Sequence, residues 1–240
     1  MPGDYATIQL AVAAASNGDV IQVAAGTITE TTLTLVDKAN LTIQGMGSGS
    51  TIVQVSGTGY RFQITGSGVT IKDLHILKTD KVGVQDIILI QANNFSLLNC
   101  IVSGQYVFGD GDVSRAMATS GGYSGLLIDG NTFYSLRQPG YISGVITGTI
   151  SNNYIYGTKG WVVEQGDLTF INNTWGTNVY DIAILSGVSP IYYTDIAAMS
   201  NANNNAVIED QRVVPAVLSV VYVDASTSVL VQRKMEFLVS

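Results

Sequence analysis

The sequence predicts an all-β fold, a parallel β-helix in which the chain winds coil upon coil. Three observations carry that prediction. One phrase returns three times between Gly125 and Thr177, as Leu126-Leu-Ile-Asp-Gly-Asn-Thr-Phe133, Gly148-Thr-Ile-Ser-Asn-Asn-Tyr-Ile155 and Leu168-Thr-Phe-Ile-Asn-Asn-Thr-Trp175. A looser form runs back from Ile128, Ile150 and Phe170 through Leu97, Ile71 and Ile43, at intervals of 20 to 31 residues. Such a period marks a repeat architecture whose insertions fall on the outer turns. The composition agrees: 46% of the 240 residues are hydrophobic, only 12% are charged, and Gly (26) far outnumbers Pro (4). The polar remainder is mostly Asn, Thr, Ser and Gly, which suits tight turns and stacked amide rows rather than salt-bridged helices.

A chain of this length fits one domain. Asp4 to Ser16 reads as a short amphipathic helix, with Tyr5, Ile8, Val12 and Ala15 at helical spacing and Asp4 as its N-cap. Asn17-Gly18 supplies a left-handed exit. Asp19 to Gly26 follows as a short strand.

The phrases Ala6-Thr-Ile-Gln9, Asn17-Gly-Asp-Val-Ile-Gln-Val23, Gly26 and Leu41-Thr-Ile-Gln-Gly45 resemble the opening of the pectin-lyase-like right-handed parallel β-helix proteins. The resemblance implies a single-stranded right-handed β-helix whose N-terminal helix covers the open end of the first coil. It carries no catalytic residue. Residues 1–18 are then a helical cap, 19–200 the coils, and 201–240 a C-terminal β cap or an oligomerisation tail.

Two stacks follow from the register. Ile76, Val102, Phe133, Ile155 and Trp175 form an interior apolar column. Leu74, Cys100, Asn131, Asn153 and Asn173 form a second, whose later members make an Asn ladder in which each amide bonds its own coil and the next. Cys100, the sole cysteine, is then a small buried filler. Thr51 to Val55, Tyr60 to Ile64, Ile87 to Ile90, Trp161 to Glu164 and Tyr180 to Ile184 are the strands between the phrases. Gln105 to Tyr123 is the longest departure and is expected to project. After Pro190 the repeat fades: Ile191 to Met199 reads as a degenerate coil and Asn201 to Asn205 as a polar break. Val213 to Val223 and Val229 to Leu238 read as a hairpin, which closes the solenoid or joins copies into a homo-oligomer through residues 213–240.

The net charge is −7 and the longest basic run is the pair Arg233-Lys234. Phosphate neutralisation needs clustered cations, so a nucleic-acid partner is excluded. No apolar stretch is long enough for a membrane span. The chain opens without a signal peptide. A sparsely charged rod of this kind points to an extracellular, cell-surface or virion-associated place.

Enzymes of the resembled family that cleave acidic polysaccharides by elimination hold Ca²⁺ on outward carboxylates beside a basic residue, and its hydrolases use paired carboxylates. Neither motif is matched. Asp110, Asp112 and Arg115 form the one tight group of acids with an Arg, flanked by Tyr106 and Tyr123, whose rings offer faces for a sugar. These five residues are candidates for binding, and Asp110, Asp112 and Arg115 also for catalysis; the plainer reading is a Gly-Asp turn whose carboxylates cap backbone amides. Glu164 and Asp181, 17 residues apart, are a second candidate pair, with Lys159 and Arg137 nearby. His75, the sole histidine, faces outward without a catalytic partner. No cofactor is expected, apart from Ca²⁺ if the protein is a lyase. Two functions follow. One is a non-enzymatic surface or appendage module, structural, glycan-binding or both. The other is a polysaccharide lyase or glycoside hydrolase working in a groove along the coils.

Overall fold

The computed structural model describes residues 4–81, 86–111 and 114–212, and the backbone alone of 219–224 and 229–234. Within it the chain is a parallel β-solenoid of three long sheets, each taking one strand from every coil. The first coil holds β1 (Val20–Gln22), β2 (Gly26–Glu30) and β3 (Thr34–Val36). The second holds β4 (Thr42–Gln44), β5 (Thr51–Val55) and β6 (Phe62–Ile64), and the third β7 (Thr70–Lys72), β8 (His75–Lys78) and β9 (Asp86–Ile90). Then come β10 (Ser96–Leu98), β11 (Ile101–Ser103) and β12 (Arg115–Thr119), followed by β13 (Tyr123–Asp129), β14 (Thr132–Tyr134) and β15 (Gly140–Ile142). The last full coils are β16 (Ile146–Ser151), β17 (Tyr154–Tyr156), β18 (Trp161–Val163) and β19 (Asp167–Ile171), β20 (Thr174–Trp175), β21 (Ile182–Ile184).

The repeated phrase is the first sheet. Ile21, Ile43, Ile71, Leu97, Ile128, Ile150 and Phe170 stand in direct register from β1 to β19, and all are buried. The second sheet repeats the pattern with Ile76, Val102, Phe133, Ile155 and Trp175. Alternation places these residues inside and their neighbours outside, as a pleat requires.

The Asn ladder fills the turn between these two sheets. The Asn153 amide donates to Ile128 O (2.9 Å) and to Asn173 Oδ1 (2.9 Å), while its Oδ1 accepts from Asn131 N (2.9 Å). Asn131 and Asn173 repeat the arrangement. Cys100 N donates to Asn131 Oδ1 at 2.8 Å, so the ladder starts on the cysteine coil. Burial pushes the Cys100 thiol up to about 12, as befits a filler. Outer corners use a second device: Asn40 and Asn94 adopt positive φ, and their amides lie over Gly68 and Gly125 of the next coil. A Cβ on either glycine would come within 2.2 Å of the Asn oxygen.

The ends differ in detail from expectation. The N-terminal helix α1 spans Ile8–Ala14, and its N-cap is Thr7, whose Oγ1 accepts from Leu10 N (3.2 Å). Asp4 therefore does not cap it; Thr7 sits one residue before the helical run and Asp4 does not. α1 lies against β1 and β3 and contributes Ile8, Ala11 and Val12 to the core. Arg115–Thr119, expected within a projecting loop, is instead a strand of the third sheet, so the departure is confined to the segment before it. The stretch read as a degenerate coil and polar break holds α2 (Ile196–Asn201). Asn203 then takes the place of a ladder rung, its Oδ1 accepting from Asn173 Nδ2 at 2.8 Å. The third sheet ends on β22 (Ile208–Asp210). Beyond it β23 (Ser219–Asp224) and β24 (Val229–Lys234) form an antiparallel pair within the hairpin expected there, whose remaining residues lie outside the described ones. No helix among the described residues is long and apolar enough to cross a membrane.

Candidate functional site

Coil spacing brings residues far apart in sequence side by side on the third sheet. Asp86 opens β9 and Arg115 opens β12, in register. Arg115 Nη1 lies 3.3 Å from Asp86 Oδ1, and its guanidinium stacks 4.7 Å above the Tyr141 ring. Tyr141 is one rung further, on β15. Its hydroxyl is hydrogen-bonded to the Glu164 carboxyl, and burial followed by that negative charge raises its pKa. Burial raises Asp86 as well, opposed by Arg115 and Arg137.

A second row enters from the turn between the second and third sheets. Arg137 N donates to Ser114 O (3.0 Å) and Lys159 N to Arg137 O (2.7 Å), which stacks the turns. The charge of Arg137 acts on Asp86, Tyr106, Tyr141 and Tyr180 alike, so these groups converge. Gln138 is buried and bonded to the Tyr180 hydroxyl. Tyr106 is 3% exposed and meets Phe108, half-exposed, edge-on at 6.1 Å.

Here the hydrogen-bond accounting fails to close. Tyr106 Oη, Ser114 Oγ, Arg115 Nε and Gln138 Oε1 are buried without a partner among the described residues. A buried polar group left unpaired costs about 1–3 kcal/mol, and four in one neighbourhood is an unusual density. The second sheet offers a contrast. Its outer face carries Tyr134 stacked on Tyr156 at 5.1 Å and His75 Nε2 paired with Ser103 Oγ at 2.8 Å, with no such orphan among the described residues. His75 is half-buried there, and burial lowers its pKa.

The structure places the candidate residues unequally. Arg115, Tyr106 and Glu164 join the cluster. Asp110 stands at its margin: Oδ2 accepts from Val107 N (2.9 Å) and pairs with Lys81 Nζ (2.8 Å), and the Lys81 bond holds the carboxyl below the usual carboxylate range. That is the amide-capping turn. Asp112 lies outside the described residues. Tyr123 opens β13 in the first sheet, beyond the far end of β12, and packs partly on the core. Asp181 is 5% exposed; it accepts from Val207 N (2.7 Å) and Asn178 Nδ2 (3.0 Å), and burial raises its pKa. It precedes β21, whereas Glu164 follows β18, so with Trp161 opposite Ile182 the pair is offset by four residues, roughly 13 Å along the strands. Asp86, Gln138, Tyr141 and Tyr180 had no local motif to betray them. Only the register of the third sheet collects them.

Among the described residues no group of three or more His, Cys, Asp or Glu side chains is placed to hold a metal ion. No family model matches the chain, and no curated protein matches it. Among solved structures, a chain described as "Geobacillus virus E2 - ORF18" is similar over 74% of this chain and 57% of its own length, with a TM-score of 0.27 and 11% sequence identity. This chain thus spans just over half the length of that protein.

Proposed function

We propose that this β-solenoid is a non-enzymatic module that binds a saccharide where the turn from the second sheet enters the third. The observation that carries the reading is the gathering of four buried, unpaired polar atoms beside the Arg115–Tyr141 stack. Tyr106 and Ser114 hydroxyls, the Arg115 Nε–H and the Gln138 carbonyl oxygen offer donors and acceptors together. Sugar hydroxyls need both. Phe108 and the Tyr141 edge add apolar surface of the kind that meets a sugar ring's C–H face. Asp86 and Glu164 stand opposite Arg115 and Arg137, so the formal charges cancel and a neutral sugar is favoured over a uronate.

The same carboxylates argue for binding without turnover. Asp86 is tied to Arg115, Glu164 to Tyr141, Asp110 to Lys81 and Asp181 to the turn before β22. A hydrolase needs two carboxyl groups facing one bond across a fixed gap, and these face partners on their own chain. A rigid, sparsely charged rod carrying such a face suits a cell-surface or virion appendage.

Titration against panels of neutral and acidic oligosaccharides, with product analysis, tests the reading. Expected are saturable binding of neutral members, no new reducing ends and no unsaturated products. Turnover of any member would replace the module with the lyase or hydrolase reading. Absence of binding across both panels would remove the glycan.

A further inference from the structure

The helix α1 treats the three strand edges of the first coil unequally. It lies against β1 and β3, Gln9 Nε2 donates to Leu33 O at 2.9 Å, and Ile8 N donates to the buried Glu30 carboxylate. The helix thus meets β2 only at its last residue, Glu30, and among the described residues no strand pairs with the outer edge of β2 at Thr27 and Thr29. Gly26 N donates to Ser50 O (2.8 Å) and β2 runs in register with β5. In a parallel pair this turns the N–H and C=O of Gly26, Ile28 and Glu30 toward β5, and those of Thr27 and Thr29 away from it. Both threonines are exposed. Gly26–Glu30 contains no Lys or Pro to blunt the edge.

At the opposite end stands a strand pair with the matching deficit. β23 and β24 pair with each other over six residues and with no strand of the solenoid sheets. The hairpin lies beside β22. A two-stranded ribbon is marginal in water and gains from a third strand, and the sequences Ser-Val-Val-Tyr-Val-Asp and Val-Leu-Val-Gln-Arg-Lys are strongly strand-forming. The third sheet puts seven rungs between β22 and β3, roughly 34 Å at the usual strand spacing. The hairpin therefore cannot reach the β2 edge of its own chain.

We propose that the hairpin of one copy adds to the β2 edge of another, joining copies head to tail through backbone hydrogen bonds at Thr27 and Thr29. Such a contact is heterologous, so it grows into chains or closes into rings. Sedimentation velocity of the full chain over a wide concentration range tests it. The mean mass rises with concentration, at least doubling. Thr29→Pro removes an edge N–H and holds the protein at monomer mass, while Thr29→Val keeps the amide and associates like wild type. A synthetic peptide of residues 219–234 lowers the wild-type mass by competing for the edge, which decides the matter if Thr29→Pro fails to fold. A monomer at every concentration overturns the proposal. So does association that survives the peptide.

Discussion

Two turns of the same solenoid use polar residues in opposite ways. Between the first and second sheets, Asn131, Asn153 and Asn173 spend their amide groups on the coils below and above, and Asn203 bonds the coil below and Met199 O of its own segment. Where the turn from the second sheet enters the third, Tyr106, Ser114 and Gln138 are buried and Arg115 is partly buried, yet each keeps a buried atom without a partner among the described residues. The first turn is built for stability. The second leaves single polar atoms without a partner in the fold, which is where a ligand site is expected.

The largest effect should follow from breaking the closed turn. Asn153→Ala removes the donors to Ile128 O and Asn173 Oδ1 and orphans the buried Asn131 N–H. A loss of about 3 kcal/mol or more is expected in denaturant melts. Next comes Gly140→Ala, beneath the packed Trp161. A Cβ at Gly140 would sit 2.3 Å from the Trp161 ring, and overpacking of this kind costs about 1–3 kcal/mol. Because Gly140 neighbours Tyr141, this variant should also weaken saccharide binding, which Asn153→Ala should do only by unfolding.

A smaller effect concerns pH. Glu30, Asp86 and Asp181 all have pKa values raised chiefly by burial. The native state then holds their protons more tightly than the unfolded chain, so their contribution is fully present below the unfolded carboxylate value and is lost as pH rises through the raised one. Asp110 and Asp210 are lowered and act in the opposite sense, losing their contribution as pH falls through their own values. The melting temperature should therefore rise as pH drops from neutral toward the ordinary carboxylate range, then fall below it. Asp181→Asn should melt lower at neutral pH, having one acceptor fewer for Val207 N and Asn178, and should show a flatter rise on acidification.

How much of this was legible in the sequence follows the same division. Ile43 to Phe170 could be set in register because every coil must present an apolar residue at that point. The ladder followed from Asn131, Asn153 and Asn173. Asn203 was hidden because α2 replaces the strand before it and the phrase around it is lost. Asp4 was read as the helix cap because Tyr5 looked like the first helical residue; Thr7 has the oxygen in reach of Leu10 N. The third-sheet cluster was half legible. Arg115, Tyr106 and Glu164 stood out as polar groups, but Asp86, Gln138 and Tyr141 come from coils with turns of unequal length. No short spacing links them, and the first-sheet phrase does not fix where each third-sheet strand begins.

The sharpest measurement is on Tyr106→Phe, which deletes one unpaired buried hydroxyl and nothing else. Thermal melting and a neutral-oligosaccharide titration are run on the same sample beside wild type. If the hydroxyl is kept for a ligand, the variant melts at or above the wild-type temperature, by up to about 1 kcal/mol of added stability, and binds the saccharide at least several-fold more weakly. A lower melting temperature with unchanged binding would mean that Tyr106 serves the fold, as the Asn ladder does, and would contradict the division drawn between the two turns.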